Sequence, residues 1–201
     1  MTARARKPAT YADIEALPPH LVGEILFGTL VTRPRPVHRN GIATTSLGDE
    51  LVGPFQKGRG GGPAGWLFII EPEMHLGPHA VVPDIAGRRP ERLDGGAAGG
   101  AFIEVAPDWA CEVLSPSTER YDRGDKRRIK AHFGMQHLWH LDPRAHTLEV
   151  FRLQEQDWLL THTFVETENV CAPPFDANTF SLGLLWPFDP PAEPSAPAPA
   201  T

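Results

Sequence analysis

Three observations predict a mixed α/β domain. Apolar residues recur every four positions at Leu47, Leu51 and Phe55, a helical spacing within Val37 to Phe55. The apolar runs WLFIIEPEMHL, AVVPDIAG, DWACEVLS and HLWHLDP have the length and bounding turn residues of strands. TLEVFRL and DWLLTHTF alternate well enough to form an antiparallel pair. With 201 residues, 41% of them hydrophobic, the chain can bury one sizeable core, so a single domain is expected over residues 1–188.

The elements follow in order. TYADIEALP starts at a plausible N-cap, Thr10, and is stopped by Pro18 and Pro19. In VGEILFGTLVTRP the apolar residues flank Gly28, which predicts a hairpin with Glu24 on its first strand. The helix of Val37 to Phe55 ends near Gly58, and Lys57 to Pro63 lacks the GKS or GKT ending of a phosphate-binding loop, so it reads as a flexible connection. Glycine-rich Asp94 to Gly100 reads as a variable loop. A helix follows Asp122, and FDANTFSLGLLWPF packs a last turn or strand. The Pro/Ala-rich tail 189–201 can bury nothing and is expected to be disordered.

Composition narrows the classes. Cys111 and Cys171 lack zinc-knuckle spacing and form no disulfide framework, so both are expected to be buried thiols in a reducing compartment. No stretch approaches the roughly twenty apolar residues of a membrane span, and MTARARKP lacks the apolar core of a signal peptide. A cytoplasmic location and no membrane partner are expected. The net charge of −6 argues against non-specific nucleic-acid binding, which lysine and arginine drive. Basic residues are nevertheless concentrated at Arg33, Arg35, His38 and Arg39, at Arg88, Arg89 and Arg92, and from Arg123 to Lys130, which leaves room for a basic face.

Three residues carry the chemistry: Asp84 in VVPDIAG, Glu112 in DWACEVLS and Lys126 in YDRGDKRRIKAHFG. Two carboxylates can hold a hard divalent ion, which with a lysine steadies charge on the attacking and leaving oxygens of a phosphodiester. Pro-Asp is also a common strand end, so Asp84 alone says little. Glu112 says more, because a carboxylate inside an apolar run must be paired, protonated or metal-bound. Asp122, Lys126 and Lys130 fall four apart and form one helical stripe, while Ile129 and Phe133 would dock that helix on a sheet. On a solvated surface such a stripe is only a set of ion pairs worth about a few tenths of a kcal/mol.

The order helix, three strands, helix, strand, together with EVLSPST, the following D..DK and LW.LDP, resembles the Uma family of restriction endonucleases within the PD-(D/E)xK nuclease superfamily. The resemblance covers about Thr10 to Trp186. It implies a restriction-endonuclease-like core, a central mixed β-sheet flanked by helices, with extra antiparallel strands. It also implies Asp84 as the PD aspartate, Glu112 as the second acid, and Glu24 as an accessory acid near the metal. Leu114 stands where a literal (D/E)xK places lysine, and Lys126 on the next helix is the substitute. Related sequences usually carry tyrosine where Lys130 stands here, which makes Lys130 either structural or an added phosphate contact.

A metal-dependent endonuclease is therefore the expected activity, with Mg²⁺ or Mn²⁺ on Asp84, Glu112 and Glu24, and Lys126 orienting or deprotonating the attacking water. Asp84, Glu112 and Lys126 are expected to converge in one cleft. His38 is a secondary candidate for phosphate contact or proton transfer. The expected substrate is nucleic acid, DNA in the first instance, and the expected assembly a homodimer using the edge of TLEVFRL and DWLLTHTF. The alternative is a catalytically inactive nuclease-fold module that binds nucleic acid or protein.

Overall fold

The computed structural model describes residues 7–34, 38–92 and 100–187. Arg35, most of the glycine-rich loop and the Pro/Ala-rich tail lie outside the described residues. Helix α1 (Tyr11–Glu15) is closed at its start by the Asp13 carboxylate, which accepts the Thr10 N–H at 2.7 Å. The predicted hairpin is β1 (Leu21–Leu26) with β2 (Thr29–Pro34). Its two-residue turn puts Phe27 and Gly28 at φ 49° and 74°, the left-handed backbone that suits a twisted hairpin and explains the glycine. Helix α2 (His38–Leu51) continues into a π-helical turn at Val52–Gln56 and buries Asn40, Ala43, Thr44, Leu47 and Leu51 on one side.

The two long apolar runs after α2 do not form one strand each. WLFIIEPEMHL gives β3 (Leu67–Ile70) and β4 (Met74–Leu76), and AVVPDIAG gives β5 (His79–Val81) and β6 (Ile85–Arg88). Each run breaks at a residue that cannot continue a ladder. Glu71 takes φ 45° just before Pro72, and Pro83 lacks the N–H a strand must donate. At both breaks the chain changes sheet: β4 and β5 join the hairpin in an antiparallel sheet of order β2-β1-β5-β4.

The main sheet adds β7 (Trp109–Val113), β8 (His137–Asp142), β9 (Thr147–Gln154) and β10 (Asp157–Val165) in the order β10-β9-β8-β7-β6-β3. It is mixed, because β7 and β8 are parallel and the other neighbours antiparallel. Between β7 and β8 lie α3 (Glu119–Asp122) and α4 (Asp125–His132), two helices where the sequence predicts one, broken at Gly124. A short pair, β11 (Asn169–Val170) with β12 (Phe180–Ser181), and a 3₁₀ turn at Leu182–Leu185 close the C-terminal part.

Strand parity divides the core and positions Glu112. Successive side chains of a strand point to opposite faces. Trp109, Cys111 and Val113 of β7 pack with Trp139, Leu141 and the α2 residues Ala43, Leu47 and Leu51. Ala110 faces the other way, with Leu138, Ile129 of α4 and Leu26, Met74, Leu76 and Val81 of the smaller sheet. Glu112 shares that second face and therefore points at α4. Ile129 is buried and Phe133 packs against the same cluster, as the predicted docking pair. Cys111 is buried, but Cys171 is exposed, contrary to the expectation of two buried thiols: it follows β11, beyond the central sheet.

Candidate active site

Asp84 starts the turn into β6 immediately after the sheet change at Pro83, so the two strands it joins diverge at its position. Its Oδ2 accepts the Val113 N–H at 2.7 Å, which ties it to the end of β7 one residue beyond Glu112. Among the described residues nothing occupies its Oδ1. Lys126, on the sheet-facing side of α4, reaches three carboxylates: Glu112 Oε2 at 2.9 Å, Asp122 Oδ1 at 3.0 Å and Glu24 Oε1 at 3.2 Å. It also donates to the Val82 carbonyl at 3.3 Å. Lys130, one turn on, donates to Glu112 Oε1. Both ammonium groups are buried, so this stripe is part of the core and not the solvated series of weak pairs that spacing alone allows.

Asp84, Glu112, Asp122 and Lys126 line one cavity of about 180 Å³ together with Arg33 and Asn40. Glu24 lies buried behind it, where its Oε1 also accepts the Val82 N–H at 2.8 Å. His38 is exposed at the first residue of α2 and does not line the cavity; the same turn of helix contributes Asn40 instead. Asn40 donates from Nδ2 to the carbonyls of Val113 and Leu114 at 3.0 and 3.1 Å, holding the end of β7 in place. Arg33, on β2, stands 4.0 Å from Glu24 and 3.5 Å from Glu71. Its pKa is raised although burial opposes its charge, because Asp84 foremost, then Glu24 and Glu112, surround it.

Sequence reasoning placed Arg33 only in a basic cluster and Asp122 only in a stripe, and it missed Asn40. The signal for Asn40 was available: it precedes Ala43, Leu47 and Leu51 at helical spacing, which puts it on the buried side of α2.

The electrostatics separate the two principal acids. Burial raises the pKa of Glu112, but the ammonium groups of Lys126 and Lys130 outweigh it and hold the carboxyl down at about 2. Burial, then the Glu112 charge, raise Asp84 to about 7, with Lys126 and Arg33 opposing. Burial alone would discharge Lys126. Asp122, Glu112 and Glu24 instead raise it well above the ordinary lysine value, so it is a fixed cation and not a base. A lysine that holds its proton this firmly suits the orienting part of the expected role better than the deprotonating part. Beside the cluster His140, in register with Glu112, is driven down to about 3 by burial and then by Lys130, and stays neutral.

Opposite shifts give opposite pH dependences. Between about pH 4 and 7 the folded chain holds a proton on Asp84 that the unfolded chain has lost, so this residue makes stability fall as pH rises through that window. Stability from Glu112 is complete above its ordinary value of 4.5 and is lost as pH falls toward about 2. In chelator, Asp84→Asn is expected to match wild type in melting temperature near pH 4 and to exceed it near pH 8. Melting curves that differ by the same amount at both pH values would rule this out.

The mixed sheet, its flanking helices and the carboxylate-lysine cleft at the ends of β6 and β7 define a restriction-endonuclease-like α/β protein. The chain belongs to the Uma2 family, described as "Putative restriction endonuclease", whose model matches residues 9–183. Among solved structures it is similar to a "putative nuclease belonging to DUF820" from Anabaena variabilis, with a TM-score of 0.72 and 23% identity over 90% of this chain and 98% of that one. At that identity the likeness is one of fold. No curated protein matches the chain.

Proposed function

We propose that the protein is a metal-dependent endonuclease that hydrolyses phosphodiester bonds of DNA, with Asp84, Glu112 and Lys126 as its catalytic residues. The observation that carries this reading is that three residues 28 and 14 positions apart in sequence, from the turn before β6, from β7 and from α4, line one cavity with an excess of carboxylates. Glu24, Asp84, Glu112 and Asp122 share the cations Arg33, Lys126 and Lys130, and Arg33 is drawn on by Glu71 as well.

That donor set suits one hard divalent cation. Among the described residues no three His, Cys, Asp or Glu side chains are arranged as a ready metal cage, but Asp84 offers a carboxylate oxygen without a partner among those residues, in a cluster rich in carboxylates. Asp84 and Glu112 would hold Mg²⁺ or Mn²⁺, with Glu24 behind them through water. When bound, such an ion lowers the pKa of a water and stabilises charge on phosphate oxygens. Lys126, paired with Glu112 and Glu24 and lining the same cavity as Asp84, is a cation placed to orient the scissile phosphate and to offset charge as water adds to phosphorus and the bond to the sugar oxygen breaks. Arg33, at the same cavity, supplies a second cation for the phosphate. His38, exposed on the neighbouring turn, is a peripheral contact to the backbone of the nucleic acid.

Two copies related by a two-fold axis would place a site on each strand of a duplex, and β10, an edge strand with exposed Leu159 and Leu160, is the surface we assign to that pairing. A second reading, a nuclease fold used only for binding, is favoured by two contacts: each Glu112 oxygen is already held by a lysine. Cleavage of plasmid, linear and single-stranded DNA with Mg²⁺ or Mn²⁺ decides between them. Lys126→Met is expected to slow cleavage about a hundredfold or more and to lower the melting temperature, because it leaves Glu24, Glu112 and Asp122 without their shared cation. Trace activity identical in wild type and variant would favour the binding module.

A further inference from the structure

We propose that Lys130 acts as a built-in cation on Glu112, so that the cleft accepts at most one divalent ion, seated on the Asp84 side. The inference rests on the metal-dependent reading above and concerns a residue that reading does not use. Lys130 is fully buried, and its ammonium group has Glu112 Oε1 as its ion-pair partner. Lys126 takes Oε2 at 2.9 Å. A second cation brought to Oε1 meets the buried Lys130 ammonium at close range, and the like charges disfavour it there. Lys130 cannot swing aside into water, because α4 and the sheet enclose it. Asp84 is different: one oxygen holds the Val113 N–H and the other has no partner among the described residues.

Lys130 is thus a positioning residue. It holds the Glu112 side chain on the α4 side of the cavity, excludes a second ion, and weakens the first by its charge. Removing that charge while keeping the volume of the side chain should open Oε1 to the metal. Glu112 keeps Lys126 as its partner in such a variant, so the acid is not left buried alone.

The experiment counts Mn²⁺ directly, by the electron paramagnetic resonance of free Mn²⁺ during titration, and reads affinity by calorimetry; neither depends on activity. Wild type is expected to bind one Mn²⁺ per chain, and Asp84→Asn none. Lys130→Met is expected to bind Mn²⁺ at least tenfold more tightly, and Lys130→Arg, which keeps the charge, no more tightly than wild type. Thermal melts establish that each variant is folded. Two ions bound by wild type overturn the proposal whether or not the variants fold. A folded Lys130→Met with wild-type affinity overturns it while leaving the single-metal reading in place. Absence of Mn²⁺ binding in wild type and in folded Lys130→Met alike overturns both.

Discussion

Glu112→Gln is expected to abolish cleavage and to destabilise the fold by about 3–5 kcal/mol, the cost of breaking a buried ion pair by removing one partner. An acid in an apolar strand invites the opposite expectation, that deleting it relieves a buried charge. The structure reverses the sign. Glu112 is the shared anion of two buried ammonium groups, one of which, Lys130, has no other carboxylate within ion-pair distance among the described residues. Glutamine keeps the shape but donates from one end, so it turns an N–H toward a lysine and leaves the cation uncompensated. The loss should be largest near neutral pH, where Glu112 is ionised and Lys126 holds its proton. Chemical denaturation of wild type and variant measures it directly. A destabilisation below about 1 kcal/mol would mean that water reaches the cluster and that these residues are not a sealed core pair.

Asp84→Asn is the complementary case, with the activity effect just as large and the stability effect of the other sign. Cleavage in saturating Mg²⁺ is expected to fall by about a thousandfold or more, as the open carboxylate oxygen that attracts the ion becomes neutral. The fold should remain, because an asparagine carbonyl can still accept the Val113 N–H. Near pH 8 the variant should be the more stable protein without metal, since it lacks a carboxylate that burial and Glu112 push up to about 7. Mg²⁺ should reverse that order by stabilising wild type alone. This pairing of lost activity with gained stability is the signature of a residue kept for a ligand; loss of both would assign Asp84 to the scaffold.

Much of the site was readable along the chain. Glu112 announced itself because strand periodicity buries a carboxylate, which demands a partner. Lys126 and Lys130 stood on one helical stripe by spacing, and the apolar pair beside them told which way that stripe would face. The hairpin, α2 and the β9–β10 pair were local patterns, set by turn residues and periodicity over a few positions. The sheet changes were not readable as such. Glu71 and Pro83 mark breaks, but a break in a strand does not say which sheet the chain joins next.

Sequence by itself determined which residues carry charge into the core and which elements bear them, because burial pattern and side-chain direction are properties of short segments. Only the tertiary structure decided what those charges are for one another. Placing α4 across the end of β7 gives Glu112 two lysines and Asp84 none at hydrogen-bond distance, so one acid is held at about 2 and the other pushed to about 7. It also carried Arg33 and Asn40, each ordinary in its own segment, to the same cavity. The physical reason is range. Periodicity acts over a few residues, whereas charge in a low-dielectric interior acts over the few ångströms that separate segments far apart in sequence.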